Sequence, residues 1–330
     1  MRPLDRRTFI ALTGGMLPLQ VEASLTPVPI IDTHIHLFDP TRPQGIPWPS
    51  REDKALYRSA LPARYERIAG PLHVVGAIEI EASPLLEDNQ WVLDIAAGSR
   101  MIVGTIGNLE PGTADFRKHL NRFQKNRLFR GIRYGNLWGR DLGRRLQEAA
   151  FVEDLKLLAH LGLVLDTANP NPALIRSVVR LNDSVPDLKV VIDHLPHLQL
   201  PADVASRKAV ELDLQELGRR PHIYVKLSEV IAGEKPGTQL RPDQYRPTLD
   251  LLYDVFGEDR VLYGSDWPNS DLWGAYRDEL RAVKRYFATK SRAAQEKFFW
   301  RNSVTAYRWI KRDENQPSAR TESLLVKRDG

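Results

Sequence analysis

The 330-residue chain contains no cysteine. Disulfides, thiolate metal sites and a cysteine nucleophile are thereby excluded. The compartment stays open, because a chain without thiols survives oxidising and reducing surroundings alike. Long apolar runs are also missing: nothing reaches the ~18–20 consecutive apolar residues that cross a bilayer as a helix. No dense basic run and no finger-type or RNA-binding motif occurs. The surplus of 47 Lys and Arg over 42 Asp and Glu therefore reads as solvated surface, and nucleic acid is not an expected partner. Neither G-x-G-x-x-G nor G-x-x-x-x-G-K-[ST] is present, which removes the usual nucleotide-binding turns. With 42% hydrophobic residues, what remains is a chain able to bury the core of one large barrel or two ordinary domains.

The most telling stretch that is present is Asp32-Thr33-His34-Ile35-His36, at the end of the apolar run Pro29-Ile30-Ile31. Side chains two apart on a strand share a face, so His34 and His36 project together, suited to one metal ion or to a polar catalytic pocket. Upstream, Asp5-Arg6-Arg7-Thr8-Phe9-Ile10, a mildly apolar stretch from Ala11 to Leu19 and Val21-Glu22-Ala23 resemble a twin-arginine export signal over residues 1–23. The expected location is periplasmic, or cytoplasmic should residues 1–23 not act as a signal. At the other end, residues 311–330 are polar and aperiodic and are expected to be a disordered tail.

Between these ends, over residues 29–310, short β-branched runs alternate with helix-like segments. Candidate strands are Ile30–His34, Val74–Ile80, Met101–Ile106, Phe129–Tyr134, Leu163–Asp166, Lys189–Asp193, Ile223–Leu227 and Val261–Gly264. Amphipathic stretches such as Phe151–Leu158, Pro172–Leu181 and Leu249–Phe256 lie between them. Eight β/α units predict a single-domain (β/α)₈ TIM barrel, with the Pro-rich segment from Phe38 to Leu61, carrying Trp48, over its mouth.

In such barrels the C-terminal strand ends build the active site. Here those ends offer His34 and His36, then Glu79-Ile80-Glu81, Arg130 and Arg133, Asp166, Asp193-His194, and Gly264-Ser265-Asp266-Trp267-Pro268. Asp32, Glu79 and Asp166 suit the task of holding imidazoles in one tautomer, and Asp193 that of orienting a neighbour. The favoured reacting set is His34, His36, His194 and Asp266. It could hold one Zn²⁺ and lower the pKa of its bound water to about 7. Without metal, Asp266 could take a proton from water while the imidazoles polarise a carbonyl. Arg133 and Arg130 offer fixed cations for a substrate anion or a developing oxyanion. Trp48, Trp267, Tyr134, Trp138 and Trp273 are candidates for stacking on substrate or for plain packing. His73, His119, His160 and His222 are expected on the surface or in packing, and His197 is unassigned.

Asp32-Thr33-His34-Ile35-His36, Ile192-Asp193-His194, Lys226-Leu227-Ser228 and Gly264-Ser265-Asp266-Trp267-Pro268, in that order, resemble the amidohydrolase superfamily. More narrowly they are similar to its amidohydrolase-2 group, to which 2-pyrone-4,6-dicarboxylate and L-fucono-lactone hydrolases belong. Pro47-Trp48, Glu81-Ala82-Ser83-Pro84, Asp88-Asn89 and Gly131-Ile132-Arg133 extend the likeness. The resemblance implies a barrel hydrolase that opens a sugar-derived or dicarboxylate lactone. Asp266 would be the general base, His34, His36 and His194 would surround the scissile carbonyl, and Arg133 would hold a polar part of the substrate. It implies one zinc or none. The Lys or Glu of strand four and the His of strand five that serve two-metal members have Arg133 and Asp166 in their place, which argues against a binuclear centre. His197 and Glu229 depart from the pattern and leave the particular substrate open. The alternatives are a metal-dependent decarboxylase or amide hydrolase of the same superfamily, and an exported binding protein on a degraded barrel. The expected partner is a small-molecule substrate, and the sequence is silent on oligomeric state.

Overall fold

The computed structural model describes residues 26–235, 238 and 241–318. The segment 1–23, expected to be an export signal, lies outside them. Eight strands form one sheet in sequence order: β1 (Ile30–Ile35), β2 (Val74–Ile80), β3 (Ile102–Gly107), β4 (Phe129–Arg133), β5 (Val164–Asp166), β6 (Val190–Ile192), β7 (Ile223–Leu227) and β8 (Val261–Tyr263). Every neighbouring pair is parallel. The ring closes where the chain beyond β8 meets β1: His36 N donates to Trp267 O at 2.7 Å and Asp266 N to His34 O at 2.9 Å. This is a (β/α)₈ barrel in a single domain.

Strands such as β1, β3 and β7 are buried along their whole length, as a sheet sandwiched between helices and a filled interior requires. The crossovers follow from equally local chemistry. The helix Pro172–Ser184 opens on Asn171, whose side chain accepts from Leu174 N, with Pro172 in its first turn. It buries Leu174, Ile175, Val178 and Leu181 at helical spacing.

Inside the barrel Ile31, Ile78, Val103, Val164, Val191, Tyr224 and Leu262 pack with Tyr307 and Trp309, so the C-terminal segment fills the floor. Of the expected disordered tail, 311–330, residues 311–318 are described and instead dock against the barrel, and 319–330 lie outside the described residues. Arg312 Nη1 donates to the carbonyls of Ala96, Ser99 and Ile102 at 2.6, 2.6 and 2.9 Å, tying together the end of the helix Asp88–Ala97, the turn after it and the start of β3. Gln316, 1% exposed, bonds Val75 O and Arg100 O. The segment is docked by directed hydrogen bonds rather than by an apolar face, and composition carries no trace of those. Among the described residues, no helix is long and apolar enough to cross a membrane.

Candidate active site

The mouth of the barrel is assembled from residues just beyond the strand ends. β1 changes facing as it arrives there. Asp32 lies against the outer helices, accepting from Tyr65 and Tyr276 hydroxyls at 2.8 Å each, whereas His34 and His36 face the mouth. A register shift against β2 between Asp32 and Ile35 accommodates the turn-over. His194, Glu229 and Asp266 sit at φ +51°, +55° and +56°. Left-handed backbone at non-glycine residues costs roughly 1–2 kcal/mol each and clusters at functional sites.

The group expected to converge does so. Oδ1 of Asp266 stands 3.1 Å from Nε2 of His36, 3.4 Å from Nε2 of His34 and 3.7 Å from Nε2 of His194. All four side chains are nearly inaccessible, so their ionisation is set by one another. Burial pushes the Asp266 carboxyl up, but the imidazoles of His194, His36 and His34 prevail and hold it well below the usual carboxylate range. Burial lowers His34 strongly, helped by the Lys226 ammonium, and takes His194 down to about 3. Glu229, whose carboxylate approaches His194 and His197 within 3.7 and 3.4 Å, is pushed up to about 11 by burial and by Asp266. At neutral pH the mouth thus holds an ionised Asp266, a protonated Glu229 and neutral His34 and His194. Two carboxyl groups driven apart in this way mark acid–base roles.

Above the group opens a cavity of about 610 Å³, within the usual size range for small-molecule sites. Trp48, Trp138, Asn169, Asn171, His197 and Arg133 are among its walls. Arg133 is not a free cation: its Nε donates to Glu81 Oε1 at 2.9 Å and its Nη2 to Glu81 O at 2.6 Å. Trp138 Nε1 donates to the same carboxylate. Two expected substrate contacts fall elsewhere. Arg130 is the second residue of β4, about 10 Å along the strand from Arg133, and its Nη1 donates to Arg308 O at the barrel floor. Trp267 is fully buried against Tyr65, with the Arg64 guanidinium over its ring. As the neighbour of Asp266 it points to the opposite side.

Asp32, Glu79 and Asp166 bond no imidazole among the described residues. Lys226 does: its Nζ lies 3.3 Å from His34 Nδ1. The Lys226-Leu227-Ser228 stretch stands out in sequence only for its likeness to the family, and its own sequence does not point to His34. Ser228 Oγ meets His194 Nδ1 at 2.9 Å. The site rests on a further carboxyl, Glu279, which accepts from Val230 N and Ile231 N and is raised to about 8, burial prevailing. A carboxyl raised on folding binds its proton more tightly in the native state. Its stabilisation is complete below the unfolded value of about 4.3 and is lost as pH rises through about 8. Glu279→Gln is therefore expected to remove a downward slope of about 1.4 kcal/mol per pH unit, read from urea unfolding between pH 5 and 8.

The donors fit a cation. Ile80 O, an acceptor only, takes the Nδ1 proton of His36 at 2.8 Å, so it is Nε2 that meets the Asp266 carboxylate. Two lone-pair atoms 3.1 Å apart call for a proton or a metal between them. Ligands about 2.0–2.1 Å from a tetrahedral zinc stand about 3.3 Å apart, close to the spacings at Asp266. His34, His36 and Asp266 form one such group, and His194, Glu229 and Asp266 another.

A closed parallel barrel that gathers imidazoles and an ionised carboxylate at its C-terminal mouth has the architecture of a hydrolytic enzyme. The chain belongs to the amidohydrolase family, whose model matches residues 31–309. It is 26% identical over 257 residues to an L-fucono-1,5-lactonase of Burkholderia ambifaria, covering 75% of this chain and 83% of that one. To an L-fucono-1,5-lactonase of Burkholderia multivorans it is 24% identical, covering 82% and 92%. A crystal structure of a Burkholderia multivorans amidohydrolase with bound zinc superposes with a TM-score of 0.73 at 20% identity, covering 86% of this chain and 100% of that one.

Proposed function

We propose that the protein hydrolyses the ester bond of a neutral, sugar-type lactone. The observation that carries this is the ionised Asp266 among three imidazoles at the base of a substrate-sized cavity. The fucono-lactonase relatives support the reaction class. The charge inventory supports a neutral substrate over a dicarboxylate: the one cationic side chain on the described wall, Arg133, already serves Glu81. Asn169, Asn171 and Asn269 instead offer amides for hydroxyls, and Trp48 and Trp138 offer flat faces for a sugar ring.

A water between Asp266 and the lactone carbonyl loses its proton to the carboxylate as its oxygen bonds to the carbonyl carbon. Imidazole N–H groups receive the charge that develops on the carbonyl oxygen. When the tetrahedral centre collapses, the ring C–O bond breaks and the protonated Asp266 returns its proton to the leaving oxygen, giving a hydroxy acid. A single cation held by His34, His36 and Asp266 would add Lewis acidity toward the carbonyl and a more acidic water. The zinc in the Burkholderia relative supports that option.

The test follows acid release at fixed pH from aldonolactones and pyrone dicarboxylates, with and without Zn²⁺. Neutral 1,4- or 1,5-aldonolactones are expected to exceed the dicarboxylate by roughly 100-fold in kcat/KM. An inverted preference removes the neutral-substrate assignment. Release of CO₂ from an aromatic acid in place of lactone opening would move the protein to the decarboxylase alternative.

A further inference from the structure

The two histidines of the β1 motif are held by different partners, and the partners dictate different protons. His36 gives its Nδ1 proton to Ile80 O and turns Nε2 to Asp266 Oδ1 at 3.1 Å. His34 Nδ1 faces Lys226 Nζ at 3.3 Å. Lys226, with no exposed side-chain surface, also lies 2.6 Å from Asp166 Oδ2 and 2.8 Å from Asp193 Oδ1. An ammonium has three N–H donors and no acceptor. Here it hydrogen-bonds Asp166 Oδ2 and His34 Nδ1, while Asp193 Oδ1 is an ion-pair contact without a well-formed hydrogen bond. Tyr307, rising from the floor, donates to Asp166 Oδ2 at 2.8 Å and holds that corner of the cluster in place.

A neutral imidazole has one donor and one acceptor. Because Nδ1 of His34 faces a donor, its proton belongs on Nε2. That nitrogen is buried, has no well-formed hydrogen bond to any described residue, and stands 3.4 Å from Asp266 Oδ1. We propose that Lys226 is a positioning residue that fixes His34 as an Nε2–H donor at the reacting centre. The motif then supplies, at His34, one donor free for a substrate carbonyl oxygen.

For a metal the same lysine is an obstacle. Coordination through His34 Nε2 requires the proton to move to Nδ1, where it would face the ammonium. Lys226 thus favours a hydrogen-bonding site over a metal site. The consequence for catalysis rests on the lactone hydrolysis proposed above; the tautomer does not.

The test uses metal-free full-length protein labelled with ¹⁵N-histidine, with His34 assigned by its absence in His34→Gln. The ring-nitrogen shifts are expected to show bare Nδ1 and protonated Nε2 at His34, and a protonated Nδ1 at His36. A protonated Nδ1 at His34 overturns the proposal, whatever the substrate proves to be. In Lys226→Met, His34 is expected to shift toward Nδ1–H, with Asp193 Oδ1 as acceptor 3.6 Å away. Zn²⁺, measured by chelator competition, is expected to bind at least about tenfold tighter. Unchanged zinc affinity, or tighter zinc with His34 still Nε2–H, overturns the role given to Lys226. Should Lys226→Met not fold, the wild-type spectrum decides the tautomer alone.

Discussion

Asp266→Asn is expected to lower kcat for lactone opening by about 10³-fold, the scale of losing a positioned general base, with KM little changed. The amide cannot take a proton from water, yet the substitution suits its surroundings. Asparagine tolerates the φ of +56° at this position. Its Nδ2 can donate to Nε2 of a neutral His36, which now meets the carboxylate at 3.1 Å. Melting temperature should therefore hold or rise while turnover collapses, a pairing that separates chemistry from folding. Single-turnover acid release and thermal unfolding on the same sample provide both readouts. Activity within tenfold of the parent would remove Asp266 as the base and leave water activation to another group.

The barrel was legible because its strands are short, β-branched and separated by segments with helical periodicity, and all eight candidates overlap observed strands. The reacting group was legible for a geometric reason. Two-residue spacing puts His34 and His36 on one face, and strand ends in a barrel meet at one mouth. What failed was depth along a strand. Arg130 and Arg133 look equivalent in sequence, but three strand residues separate floor from mouth. Adjacency failed as well: Trp267 follows Asp266 and points the other way, into Tyr65. Partners distant in sequence left no local signal. Nothing near Lys226 announces Asp166, Asp193 and His34, which only barrel closure brings together.

The same closure makes Glu81 a structural centre of the pocket, and Glu81→Ala is expected to cost about 3–5 kcal/mol, the range for removing one partner of a buried ion pair. Its carboxylate accepts from Arg133 Nε, from Trp138 Nε1 and from Ser83 N. With both residues of the pair almost fully buried, 5% and 6% exposed, water cannot replace what is lost. The Arg133 guanidinium keeps its bond to the Glu81 carbonyl and the fields of Asp193 and Asp266, which places the expected cost toward the lower end of that range. Freed of its anchor, Trp138 no longer presents a fixed face to the cavity, so KM should rise as stability falls. Trp138→Phe supplies the comparison: it removes the Nε1–H donor together with the five-membered ring, leaves the Glu81–Arg133 pair in place, and should raise KM with little loss of stability. Urea unfolding and steady-state kinetics on both variants test the coupling. If Glu81→Ala unfolds at the parent's denaturant midpoint, Arg133 has found another counterion, and the pair is not what braces this wall.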